Sequence, residues 1–126
     1  MLVLIEAVLV GVYCMVLYFL LSMLIKASVN MLYLFWFGVI KHTLGYFLGL
    51  QAYWCGLHNG GRNPVAWGRT LIITAALEGV AFMIVGTIVG QYIGRKKYVF
   101  FFVLGALMHI LAEATGVHAY YLRHLC

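Results

Sequence analysis

The sequence predicts an all-α integral membrane protein, a single four-helix bundle of up-down-up-down connectivity over residues 1–126. Three observations carry this. Of 126 residues, 66% are hydrophobic and 9% are charged, and a soluble domain this small keeps too large an exposed fraction to hide so much apolar surface. Four windows, 3–25, 31–54, 70–93 and 98–122, each supply the roughly 20 mostly apolar residues that a bilayer crossing needs. What is left is short turns and one longer loop over 55–69, so consecutive spans alternate in direction. Strands are excluded because an open sheet edge in lipid leaves backbone groups unpaired.

The first window has no basic run ahead of it, is too long for a signal sequence and carries Glu6 near its start. It therefore predicts a retained helix. The second begins with Tyr33, Phe35 and Trp36 and ends with Tyr53 and Trp54, the amphipathic aromatics that favour the two membrane interfaces. The stretch Gly60-Gly61-Arg62-Asn63-Pro64 holds the only proline and is a turn by composition. The third window ends near Tyr92. The fourth begins at Tyr98 and ends near Tyr120 and Tyr121, with Trp67 at the same end of the bundle.

Four spans place both termini and the 55–69 loop on one side, here side A. The turns at 26–30 and 95–97 lie on side B. Side B carries Lys26, Arg95, Lys96 and Lys97; side A carries Arg62, Arg69 and Arg123. The excess points weakly to side B as cytoplasmic. The net charge of +5 sits mostly in turns, where it suits anionic lipid headgroups. No basic surface of any size remains for nucleic acid, so none is expected as a partner.

Lys41, His42, Glu78, His109 and Glu113 lie inside the apolar windows. A charge at mid-bilayer costs at least ~2.5–3.5 kcal/mol, so these groups are expected to face one another rather than lipid. Helical phase agrees. In the second window Gly38, Lys41, His42, Gly45, Gly49 and Ala52 fall within a stripe of about 100°, opposite Trp36 and Phe47. In the third, Gly79, Gly86, Gly90 and Gly94 share a face with Glu78 at its edge. In the fourth, Gly105, His109, Ala112, Glu113, Gly116 and Tyr120 share one, and His118 points away. The glycines, two of them spaced as GxxxG at 45 and 49 and three at 86, 90 and 94, are expected to be packing positions. Counted from side B, Lys41 and His109 lie about ten residues deep and Glu78 and Glu113 about fifteen, a separation of roughly 6–8 Å at 1.5 Å per residue. Lys41 is thus within reach of Glu113 or Glu78. Glu6, nearer the interface, is expected to reach headgroups or Arg69. The cluster reads first as a clasp that fixes helix register, and second as a proton, ion or cofactor site.

Two further constellations are weaker. His42 and His109, at one depth, are a candidate pair of axial ligands for a b-type haem. Cys55, His58, His124 and Cys126 all fall on side A and are candidate zinc ligands, although Cys-x-x-His followed by His-x-Cys is a poor match to known spacings. A Cys55–Cys126 disulfide is the other reading of those cysteines. No Ser/His/Asp set, phosphate-binding loop or paired-carboxylate spacing occurs, so no catalysis and no resident metal or cofactor is expected.

The stretch Lys41-His-Thr-Leu-Gly-Tyr-Phe-Leu-Gly-Leu-Gln-Ala-Tyr-Trp-Cys55 resembles segments of small polytopic membrane proteins of large nucleocytoplasmic DNA viruses. The resemblance implies a structural protein of the internal virion membrane that links lipid to minor capsid proteins. Arg123-His124-Leu125 after a histidine-bearing helix is similar to a motif in the haem- and quinone-binding membrane anchors of succinate dehydrogenase, without the aspartate that follows there. The expectation is therefore a structural or assembly subunit in contact with lipid and other subunits, as a homo- or hetero-oligomer. A respiratory-complex anchor is the alternative, and a proton or ion pathway the third.

Overall fold

The computed structural model describes residues 2–58 and 69–124, apart from the side chains of Leu122 and His124. The predicted turn at 60–64, Arg62, Trp67, Cys126 and the His124 side chain therefore lie outside the described residues. What is described is helical, with no strand among it. Six helices follow in order: α1 (Leu2–Leu24), α2 (Met31–Phe47), α3 (Leu50–His58), α4 (Arg69–Ile93), α5 (Lys97–Ala114) and α6 (Val117–His124). Among these α1, α4 and α5 are long and apolar enough to cross a membrane, and α2 with α3 makes a fourth such unit bent by 72°.

The windows at 31–54 and 98–122 were expected as single helices, and the structure divides both. Each break has a glycine in the left-handed region, Gly49 at φ 79° and Gly116 at φ 84°. That conformation costs a side-chain-bearing residue roughly 1–2 kcal/mol and glycine almost nothing. The local bonding is the same twice over. Gly49 N–H bonds the Tyr46 carbonyl at 3.2 Å and its own carbonyl accepts from Tyr53 N–H at 2.9 Å; Gly116 N–H reaches Glu113 O at 3.4 Å and its carbonyl accepts from Tyr120 N–H at 2.9 Å. One glycine ends a helix and begins the next. At the other end of α2, the Asn30 side-chain oxygen accepts from Tyr33 N–H at 2.9 Å, satisfying a first-turn donor that has no helical partner.

The helices pack as two pairs, α1 along α5 and α2 along α4, joined through α4 and α5. A glycine crossing sets each pair. A Cβ at Gly38 would lie 2.8 Å from the Glu78 carbonyl oxygen and the Gly79 Cα; one at Gly79 would lie 2.6 Å from the Phe35 carbonyl oxygen. In the other pair, a Cβ at Gly105 would lie 2.7 Å from Cys14 Sγ, and one at Gly11 would lie 2.8 Å from Phe102. Such contacts need the backbones to approach to a distance that only small residues permit. Gly86 is also tight, against Leu34 at 2.8 Å.

The remaining glycines expected at packing faces do other work. A Cβ at Gly49 or Gly116 would meet nothing within 4 Å, and both glycines serve the breaks. Gly45 and Gly90 meet only ordinary contacts, at 3.7 Å from Tyr13 and 3.6 Å from Phe100. Gly94 closes α4 against the carbonyl of Gly90 in its own helix. Equal spacing along one face did not imply equal contact, because a groove opens beside Gly90.

The side-B half of the bundle is a dry core of Cys14, Leu17, Leu34, Phe37, Phe82, Phe100, Phe101 and Leu104. Phe101 sits at its centre, 4.5 Å from the Phe37 ring and stacked on Tyr18 at 4.6 Å. The outward faces are apolar too: Leu4, Leu9, Val16, Ile72, Leu77, Ile84 and Ile88 are all exposed. An apolar surface of that extent marks a face that meets a membrane or another protein.

Candidate functional site

The ionisable residues gather in the other half of the bundle, toward side A, in an inner and an outer cluster. The inner one lies where α2 crosses α4. Lys41 Nζ donates to Glu78 Oε1 at 3.0 Å, and His42 Nδ1 faces Glu78 Oε2 at 3.3 Å without the geometry of a hydrogen bond. Consecutive residues on α2 thus address the two oxygens of one carboxylate on α4. Tyr13, from α1, donates its hydroxyl to the Lys41 carbonyl at 2.8 Å. The ammonium also stands 5.8 Å from the Tyr13 ring and 5.7 Å from the Phe82 ring, within the range at which an aromatic face attracts a cation.

Glu6 is the hub of the outer cluster. Its Oε1 accepts from the Trp54 indole at 3.1 Å and lies 3.1 Å from His109 Nε2; its Oε2 lies 2.6 Å from His58 Nε2. Three nitrogens from α3 and α5 converge on a carboxylate of α1 that is 8% exposed. Placing the ring protons on the two Nε2 atoms makes all three donors, an assignment that follows from the bonding. Glu6 was expected at headgroups or at Arg69. It turns inward instead because the bend at Gly49 carries Trp54 and His58 over the end of α1, and a carboxylate away from water needs its lone pairs filled.

A rim of contacts connects the two. His118 Nδ1 meets Glu113 Oε2 at 2.9 Å, and the His118 ring lies 4.5 Å from that of His109 and 5.0 Å from Trp54. Tyr121 donates to Gln51 Oε1 at 2.5 Å while Gln51 Nε2 donates to the His42 carbonyl at 3.1 Å. The string therefore runs from Glu113 through His118, His109, Glu6, Trp54, Tyr121 and Gln51 to His42, Glu78 and Lys41. Its members come from all six helices.

Of the five residues read from the sequence as one cluster, Lys41, His42 and Glu78 come together. His109 belongs to Glu6. Glu113 lies at the exposed edge with His118, and Lys41 bonds Glu78 rather than Glu113. His42 and His109, the haem candidates, each direct a ring nitrogen to a different carboxylate. Of the zinc candidates, His58 is engaged with Glu6, Cys55 is fully buried and disulfide-bonded, and the other two lie outside the described side chains. Among the described residues no group of three His, Cys, Asp or Glu side chains is arranged to hold a metal ion. Glu6, Trp54, Gln51 and Tyr121 were not among the expected site residues. Trp54 and Tyr121 had a signal, since both carry a polar handle that a buried aromatic must satisfy.

No protein-family model matches the chain, and neither a curated protein nor a solved structure does.

Proposed function

We propose that this chain is an integral multi-pass membrane protein that acts as a structural or assembly subunit, its ionisable interior serving as a clasp between helices. The observation that carries this reading is the pairing of the interior. Lys41 and His42 share Glu78; His58, His109 and Trp54 share Glu6; and His118 takes Glu113. Each carboxylate of the chain is answered by residues of another helix or of the far side of a break. An aromatic core backs these groups on side B. Polar groups that pair with one another between helices specify register more than they add net stability.

The larger assembly is read from residues 41–55, whose sequence resembles segments of internal-membrane proteins of large DNA viruses; in this chain that stretch contains the bend at Gly49. That bend leaves Leu50, Tyr53 and Leu57 exposed on α3, a face at the side-A end on which a capsid-side partner would meet the bundle. Reconstituted into vesicles holding a pH-sensitive dye, the chain is expected to dissipate an imposed proton gradient no faster than empty vesicles. Flux that Glu78→Gln abolishes would overturn the clasp in favour of a proton pathway along the same string. In purified particles, crosslinks from α3 to minor capsid proteins are expected; their absence, with crosslinks to respiratory subunits in host membranes, would move the chain to the anchor reading.

A further inference from the structure

At the side-B end a groove of about 520 Å³ lies between the start of α2, the last turns of α4 and the start of α5. Its floor includes Gly86, Gly90 and Phe100, and its rim Gln91, Arg95 and Lys97. The clasp does not reach it, and the aromatic core meets it only through Leu34 and Phe100, which form part of its wall. The missing side chain at Gly90 keeps it open, since a Cβ there would lie 3.6 Å from Phe100 with nothing tighter. The rim is cationic. Arg95 is exposed, and Lys97 is held at the edge by donating to the Gly94 carbonyl at 2.5 Å. Lys96 lies between them and Lys26 in the neighbouring turn. The three acids of the chain are Glu6, Glu78 and Glu113, so no carboxylate occupies either side-B turn.

We infer that this groove binds one anionic phospholipid, an acyl chain along Gly86 and Gly90 and the phosphate at Arg95 and Lys97. The inference rests on the membrane reading proposed above. Two chemistries in one depression argue for it. The floor is apolar and continuous with the lipid-facing exterior, and the rim is basic and lies where the apolar run of α4 ends. Exposed Tyr92 and Tyr98 flank that level, the position at which tyrosine rings meet headgroups. A basic pocket between helices at a membrane surface has the charge that an anionic headgroup complements, and a soluble anion would leave the apolar floor unfilled.

The test uses the full chain in neutral detergent, offered phosphatidylglycerol or phosphatidylcholine and read by native mass spectrometry. One retained phosphatidylglycerol per chain is expected, in preference to phosphatidylcholine. At about fivefold per cation near a membrane surface, Arg95→Gln with Lys97→Gln should weaken retention on the order of 25-fold. Gly90→Leu, which fills the floor without touching charge, should also abolish it, and Lys26→Gln should leave it within twofold. Equal retention of the two lipids by the unmodified chain overturns the inference, and this arm depends on no variant. So does a loss in Lys26→Gln as large as in the double variant, which would mean diffuse surface attraction. Carbonate-washed vesicles separate the underlying reading: a chain that washes off is not an integral membrane protein, whereas one that stays but retains both lipids equally defeats the groove alone.

Discussion

Glu6 and His109 stand 103 positions apart in the chain, yet Glu6 Oε1 and His109 Nε2 meet at 3.1 Å, closing α1 onto α5 from within. The same carboxylate holds Trp54 and His58 of α3, so one side chain ties three helices. Glu6→Gln keeps the shape and removes the charge. Hydrogen bonds to a charged group contribute about 1.5–3 kcal/mol and neutral ones about 0.5–1.5, so a loss of about 1–2 kcal/mol is expected. Thermal unfolding in detergent measures it. A melting temperature unchanged from the parent would mean that Glu6 is not the hub.

Lys41 and Glu78 should be energetically coupled. Removing one member of a fully buried pair strands the other and typically costs about 3–5 kcal/mol; this part-buried pair should lose less, and removing both members is milder still. His42 beside Glu78 should soften the effect of Lys41→Met. The combination Lys41→Met with Glu78→Gln should recover much of the single-variant loss, and Lys41→Met with Glu113→Gln should recover none. A double-mutant cycle gives the coupling directly; additive losses for the first pair would place the two side chains apart.

The glycine crossings should tolerate nothing larger. Gly38→Ala and Gly79→Ala each put a carbon within 3 Å of the partner backbone, which cannot swing aside, so each should lose about 1–3 kcal/mol as overpacking does. Gly90→Ala, with room for its methyl group, should be neutral or stabilising by up to about 1 kcal/mol through the unfolded chain. Equal effects at the three positions would contradict the crossing.

At the two breaks the pattern inverts. A methyl group at Gly49 or Gly116 would meet nothing, yet Gly49→Ala and Gly116→Ala should each cost about 1–2 kcal/mol, because the penalty lies in the backbone conformation. Asparagine, which enters the left-handed region more readily, should cost less than alanine at both sites. Alanine and asparagine variants of equal stability would mean that the breaks do not need that conformation.

Topology follows from the spans. Cysteine introduced at Leu2 and at Lys96, in a chain with its own cysteines replaced, should label from opposite faces of sealed vesicles. Labelling of both from one face would remove the four-crossing arrangement.

The sequence made the helices legible because apolar runs of that length have few alternatives, and helical phase placed Lys41, Gly38 and Glu78 toward a shared interior. It did not reveal the breaks. A glycine four residues from another reads as a packing motif, and nothing local separates that use of Gly49 from a left-handed one. The consequences spread from there. Phase counting past Gly116 sent His118 away from Glu113, since a break resets the phase; the two in fact touch at 2.9 Å. Depth counting put Glu6 at an interface because the partners that bury it, Trp54 and His58, arrive only through the bend. Gly11 escaped notice because its partner is Phe102, through ring and carbonyl alike, not another glycine.

The breaks also leave the bundle with unequal arms. α1 and α4 have 23 and 25 residues, α2 and α5 only 17 and 18. At 1.5 Å per residue these reach about 35–38 Å and about 26–27 Å, on either side of a hydrocarbon layer roughly 30 Å thick. Because α1 lies along α5 and α2 along α4, each pair couples an overlong helix to a short one. Tilting one arm to relieve its excess tilts its mate further from sufficiency. In the bilayer of the proposed reading, hydrophobic mismatch would therefore vary around the perimeter, with lipid thinned beside α2 and α5. On the membrane reading proposed above, such a protein would rest with less distortion in a thin bilayer than in a thick one.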